Sequence, residues 1–208
     1  MASDHSAPLP GPADTTLGIL AGGRGVRLGG VEKAWMQRDG IPQVLRCHAA
    51  FREVTCTALV SANRDLPRYR AHGLLAVADS APAGRGPVAG LAALVAQCRT
   101  EWLLTVPVDL VDFDPSVALC LFEASDADGA VALDEDGVQP LVALWRTAAL
   151  RDCVRALPGL DVAVRTLQAR LKMSEVALAG QRFGNLNTGG DLRAAGVRID
   201  RTEQGNEA

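Results

Sequence analysis

From Leu17 to Lys33 the chain reads Leu17-Gly18-Ile19-Leu20-Ala21-Gly22-Gly23-Arg24-Gly25-Val26-Arg27-Leu28-Gly29-Gly30-Val31-Glu32-Lys33. A short apolar run feeds a loop with five glycines, and Arg24, Arg27 and Lys33 place three cations in the same stretch. Glycines let backbone N–H groups approach a ligand closely and accept positive φ. Successive N–H groups turned into one concavity bind anions, and side-chain cations add full charge there. The composition therefore reads as a nucleoside triphosphate cradle following a first strand. Lys33 and Lys172 are the only two lysines among 21 Lys+Arg residues, so a lysine inside this loop stands out. Its ammonium is a compact point charge suited to phosphate. Two other phosphate loops are excluded by spacing. A Walker A loop needs Ser or Thr after its lysine, and Ala34 follows Lys33. The dinucleotide fingerprint G-x-G-x-x-G fails because Leu28 stands at its last position when it is started at Gly23.

Triphosphate chemistry calls for Mg²⁺, which takes one or two carboxylates plus phosphate oxygens and water. The apolar run Trp102-Leu103-Leu104-Thr105-Val106-Pro107-Val108 ends at Asp109, which makes Asp109 the candidate metal ligand. Asp112 and Asp114, a little further on, suit turn and capping roles better. A second run, Val77-Ala78, ends at Asp79, and Gly86-Pro87 then opens a helical pattern. A helix beginning there would turn its positive end towards anionic ligands.

These residues need elements to hold them. Apolar runs of strand length alternate with helical spacing along the chain. Strands are expected over Thr16–Leu20, Thr55–Ser61, Leu74–Ala78, Trp102–Val106, Gly129–Leu133, Leu141–Trp145 and Ser174–Leu178. Helices are expected over Pro42–Val54, Pro87–Arg99, Pro115–Ala124, Ala148–Leu157 and Val162–Leu171, with a closing turn over Asp191–Ala195. The alternation predicts a three-layer α/β/α, Rossmann-like fold on a mostly parallel sheet. In such sheets ligands bind at the carboxyl ends of the strands, where the glycine loop, Asp79 and Asp109 all fall.

Bulk properties narrow the function. At 208 residues and 48% hydrophobic the chain can bury a core, and a net charge of −3 argues against a nucleic-acid surface. No run approaches a membrane span, and no basic-then-apolar signal opens the chain, so a soluble cytoplasmic protein is the simplest reading. Residues 1–14 read as a disordered leader, 15–199 as one domain and 200–208 as a polar tail. Five scattered cysteines form no C-x-x-C pair and read as thiols without metal or disulfide. His5, His48 and His72 receive no role.

Leu20-Ala21-Gly22-Gly23, Arg27, Gly29-Gly30 and Lys33 spell L-A-G-G-x-x-x-R-x-G-G-x-x-K. This is similar to the nucleotide-binding signature of the molybdenum cofactor guanylyltransferases, within the wider nucleotidyltransferase class. Other segments resemble the same family in the same order. Pro107-Val108-Asp109 matches its Pro-x-Asp, although Leu110-Val111 follows where Thr-Pro or Met-Pro is frequent. Gly86-Pro87-Val88-Ala89-Gly90 resembles its G-P-[LV]-x-G. Gln139-Pro140-Leu141-Val142-Ala143 resembles the segment leading into its acceptor-side strand. Asn185-Leu186-Asn187-Thr188 with Asp191-Leu192 resembles its N-x-N-T-x-x-[DE]-L, which lies near the pterin. Ser61 stands where some relatives carry the first Asn of Asn-x-Asn-Arg, a residue near the guanine.

The resemblance implies transfer of GMP from GTP to the terminal phosphate of molybdenum-bound molybdopterin, with pyrophosphate leaving. It implies nucleotide contacts from Leu20, Ala21, Gly22, Gly23, Lys33, Asp79 and Asp109. Arg27, Lys33 and Asp109 take the catalytic roles, with Mg²⁺ on Asp109. Partner proteins would belong to molybdenum cofactor biosynthesis or be acceptor molybdoenzymes; neither nucleic acid nor membrane is expected. The alternatives are the same chemistry with CTP or another phosphorylated acceptor, and a catalytically silent nucleotide- or cofactor-binding protein.

Overall fold

The run Thr15–Leu20 forms strand β1, buried along its whole length, because strands of the same sheet flank it and helices cover both faces. The computed structural model describes residues 9–22, 30–79, 86–125 and 128–199. After β1 come two short strands, β2 (Gln37–Arg38) and β3 (Ile41–Pro42), and helix α1 (Gln43–Phe51). Next are β4 (Thr57–Ser61), α2 (Leu66–Ala71), β5 (Leu75–Val77), α3 (Pro87–Gln97), β6 (Trp102–Pro107) and α4 (Ser116–Glu123). The hairpin β7 (Gly129–Asp134) and β8 (Gly137–Arg146) leads to α5 (Thr147–Arg155), α6 (Val164–Arg170) and β9 (Ser174–Ala177). Helix α7 (Gly189–Ala194) and strand β10 (Val197–Arg198) end the described chain.

The main sheet has seven strands in the order β5-β4-β1-β6-β8-β7-β9. The pairs β5–β4, β4–β1, β1–β6 and β7–β9 are parallel, and β8 runs against both neighbours. The expected mostly parallel sheet is therefore found, and the reversal of β8 follows from its tight connection to β7. Side chains alternate across β1: Leu17 and Ile19 enter a core with α1, α2 and α4, and Leu20 enters one with α3, α5 and α6. The two helical layers and the sheet make up the expected α/β/α sandwich. Between Leu17 and Ile19, Gly18 keeps the α3 side thin: a Cβ there would lie 3.0 Å from both Leu94 and Leu103.

All the expected elements appear, and apart from the start of β8 their ends lie within three residues of the expected ones, in either direction. Four elements were not expected. α2 is six residues long, too short for a periodic pattern, and follows Asp65 in the left-handed region at φ 45°. β2, β3 and β10 are two residues each and make a small second sheet in the order β10-β2-β3. Beneath it Met36, Leu186, Leu192 and Val197 form a separate apolar cluster. Strand β8 begins earlier than expected, and its register with β7 jumps from Val131↔Ala143 to Ala132↔Gln139. Of the expected leader, residues 12–14 form a 3-10 turn and residues 1–8 lie outside the described chain, as does the tail at 200–208.

Gly129, at the start of β7, has φ 135°, and a Cβ on it would lie 2.2 Å from the Leu144 carbonyl oxygen. Neither the backbone angle nor the facing backbone can yield cheaply. Gly129→Ala is expected to cost about 3 kcal/mol or more of stability. A urea unfolding curve with an unchanged midpoint would remove this constraint.

Candidate active site

Parallel pairing brings the carboxyl ends of four strands onto one edge. Leu20 pairs with Ser61 on one side and Pro107 on the other, and Ser61 pairs with Val77. The backbone ladder continues one residue further. The N–H of Ala21 donates to Ser61 O at 2.9 Å, that of Ala62 to Val77 O at 2.9 Å, and that of Val108 to Leu20 O at 3.0 Å. Four connections then leave the same edge, carrying Gly22, Asn63, Asp79 and Asp109. From β1 the chain crosses outwards to β4 and later returns to β6 on the other side, which makes this the switch point of the sheet.

At the β4–β5 end, side chains close on Asp79. Asn63 donates from Nδ2 to Asp79 Oδ2 at 2.9 Å, Ser61 donates from Oγ to Oδ1 at 3.2 Å, and the Asp79 N–H donates to Asn63 Oδ1 at 2.9 Å. Helix α3 abuts this group. A Cβ on Gly90 would lie 2.7 Å from Ser61 Oγ and 2.9 Å from Leu20 Cδ2, so a glycine is what lets the first turn of α3 reach the strand ends. The positive end of an eleven-residue helix therefore stands at this edge.

At the β1–β6 end, Lys33 meets Asp109. Lys33 Nζ donates to Asp109 Oδ2 at 2.7 Å and to Asn187 Oδ1 at 2.6 Å. The lysine and aspartate side chains are 15% and 24% exposed, so water screens the pair only partly. The backbone around Asp109 is itself pinned. Leu186 N–H donates to Asp109 O at 2.7 Å, Leu110 bridges Asn185, and the fully buried Gln43 donates from Nε2 to Leu110 O at 3.0 Å.

Asn187 precedes a capping box on α7. Asp191 Oδ2 accepts from the N–H groups of Asn187 at 3.0 Å and Thr188 at 2.7 Å, while the Asp191 N–H donates to Thr188 Oγ1 at 3.2 Å. Bonds from Thr188 and Asn187, and more weakly the charge of Lys33, hold the Asp191 carboxyl below its ordinary pKa.

The structure thus places Leu20, Ala21 and Gly22 on the shared edge, Asp79 with Ser61 and Asn63, and Lys33 against Asp109. Gly23 and Arg27 lie outside the described residues. The Ala21 N–H is already bonded to Ser61 O, so this stretch would meet a ligand through the Ala21 carbonyl and Gly22. Asn187 is a site residue that sequence reasoning did not assign, as is Asn63 beside Asp79. The N-x-N-T motif of Asn187 was visible, but contact with a lysine 154 positions away was not.

Among the described residues no group of three or more His, Cys, Asp or Glu is placed to hold a metal. Asp109 uses Oδ2 for Lys33, and its Oδ1 accepts no hydrogen bond from the described residues. One carboxylate, completed by phosphate oxygens and water, is a donor set that fits Mg²⁺ and does not form an all-protein cage.

Comparison with known proteins supplies the family. Residues 17–176 match the family described as the MobA-like NTP transferase domain. The chain is 34% identical over 194 residues to a molybdenum cofactor guanylyltransferase of Cupriavidus taiwanensis, covering 89% of this chain and 98% of that one. A Cupriavidus necator protein of the same description is also 34% identical, with the same coverage. Among solved structures, molybdopterin-guanine dinucleotide biosynthesis protein A from Archaeoglobus fulgidus superposes with a TM-score of 0.68 at 19% identity, covering 86% of this chain and 96% of that one. The glycine-rich segment and the strand-end carboxylates Asp79 and Asp109 fall within residues 17–176, and the chain belongs to the MobA-like NTP transferase family.

Proposed function

We propose that the chain is a molybdenum cofactor guanylyltransferase. It transfers GMP from GTP to the terminal phosphate of molybdenum-bound molybdopterin, releasing pyrophosphate and forming molybdopterin guanine dinucleotide. The observation that carries this reading is the Lys33–Asp109 pair at the joined ends of β1 and β6, in a chain whose relatives bear that description.

An acceptor phosphate oxygen forms a bond to the α-phosphorus of GTP, and the bond from that phosphorus to the β-phosphate bridging oxygen breaks. The nucleophile is already an anion, so no strong general base is required. Positioning and charge stabilisation carry such transfers. Lys33 would turn its ammonium from Asp109 to the triphosphate and neutralise charge that builds up on the leaving pyrophosphate. Mg²⁺ held by Asp109 would supply Lewis-acid neutralisation of the phosphate oxygens. Asn187 would keep the lysine in place, and Gly22 with the first turn of α3 would offer partial positive charge. Asp79, oriented by Ser61 and Asn63, would accept hydrogen bonds from the N–H edge of the nucleotide. Gly23 and Arg27 join this set on their sequence motif alone.

No described helix is long and apolar enough to cross a membrane. GTP is a cytoplasmic metabolite, which favours activity in the cytoplasm. Proteins that deliver the pterin or receive the dinucleotide are the expected partners.

Pyrophosphate release measured with Mg²⁺ and molybdopterin-loaded cofactor, across GTP, CTP, ATP and UTP, tests the assignment. Release with GTP alone, dependent on the cofactor, is expected. Preference for CTP would move the chain to a related transferase, and tight GTP binding without release would leave a silent binding protein. Asp109→Ala and Lys33→Ala are each expected to lower turnover by about 10²–10³-fold, the scale for losing one transition-state electrostatic contact, with circular dichroism unchanged. Turnover at the wild-type rate would remove that residue from the mechanism.

A further inference from the structure

Lys33 is useful only if its ammonium is held at the strand edge, yet it emerges from a glycine-rich segment. The turn that carries it is fastened to α2 and the connection before it. Glu32 precedes a 3-10 turn over Lys33–Trp35, in which Trp35 N–H donates to Glu32 O at 3.1 Å and Met36 N–H to Lys33 O at 3.3 Å. Upstream, Arg64 Nη1 donates to Gly30 O at 3.3 Å. Downstream, the Trp35 ring is 1% exposed and packs against Tyr69 at 4.8 Å and His72 at 5.3 Å, with the Arg68 guanidinium 4.1 Å above it. Between these two attachments the fully buried Tyr69 donates its O–H to Glu32 Oε1 at 2.6 Å. Neither α2 nor Tyr69 was singled out by motif or resemblance.

We infer that Tyr69 is a positioning residue for nucleotide binding, acting through its hydrogen bond to Glu32 to hold the turn that aims Lys33 at the triphosphate. Tyr69 bonds Glu32 and not Lys33, so its effect passes through one peptide unit of backbone. Burial, and then the Glu32 carboxylate, push the phenol pKa well up, so Tyr69 remains a donor throughout the working pH range. A buried hydrogen bond to a carboxylate is stronger than a neutral one, and it is short here. Removing only the hydroxyl keeps the ring against Trp35 and should leave the core packed.

The inference rests on the reading of Lys33 as a phosphate ligand, so the test separates the two. GTP affinity is measured by calorimetry with Mg²⁺ for wild type, Tyr69→Phe, Lys33→Ala and the double variant, with Tm recorded for each. Tyr69→Phe is expected to raise the Kd for GTP roughly three- to ten-fold, part of the worth of a charge-assisted bond. In the Lys33→Ala background the same change is expected to add nothing, because the residue it positions is gone. Glu32→Gln, which keeps an acceptor, should bind GTP better than Glu32→Ala; this pair carries the test if Tyr69→Phe does not fold. An equal loss from Tyr69→Phe in both backgrounds, or a fall in Tm with unchanged Kd, would overturn the inference. If Lys33→Ala binds GTP as wild type does, the reading of the site fails and the inference fails with it. If Lys33→Ala weakens binding and Tyr69→Phe does not, the inference fails alone.

Discussion

An ammonium largely withdrawn from water must find acceptors, and Lys33 finds two: the Asp109 carboxylate and the Asn187 amide oxygen. Three remote parts of the chain are organised to make that meeting possible. The parallel ladder between β1 and β6 sets where Asp109 emerges. The turn packed on α2 sets where Lys33 arrives. The capping box on α7 and the bridge from Asn185 to Leu110 set where Asn187 lies. Each of these supports is made of hydrogen bonds that engage the backbone or of buried aromatic contact.

The same arrangement suits a site that must exchange partners. In the protein alone the lysine and aspartate neutralise each other across 2.7 Å, so neither charge stands unpaired in a partly desolvated place. On the proposed reading a triphosphate with its metal supplies opposite charge to both at once. Splitting the pair then leaves no orphaned charge, which keeps the exchange from being prohibitively costly. The Asp79 cluster at the other end differs. Both of its carboxylate oxygens accept from neighbouring side chains, an orienting arrangement more than a charge reserve.

Much of the frame was legible from local pattern. β1, β6 and α3 show strong apolar runs with glycine or proline at their boundaries, and these elements appear where the pattern places them. The short pieces were not legible. α2, β2, β3 and β10 carry too few residues to show a period, and they exist because tertiary contacts stabilise them. The irregular register at Ala132 in the β7–β8 hairpin is likewise a property of the paired strands, invisible in either one.

For the site, the sequence alone determined residue chemistry and the end of the fold where that chemistry lies. Glycines, Lys33 and strand-terminal carboxylates are local features, and a parallel α/β sheet collects strand ends on one edge. It did not determine which of those residues touch. Lys33 is separated from Asp109 by 76 positions and from Asn187 by 154, and Tyr69 from Glu32 by 37. Contacts at such separations depend on strand order, register and helix packing, which no window of neighbouring residues encodes. Only the tertiary structure decided that Asn187 shares the lysine with Asp109, that the Ala21 N–H is bonded to Ser61, and that the Tyr69 hydroxyl meets the Glu32 carboxylate next to Lys33.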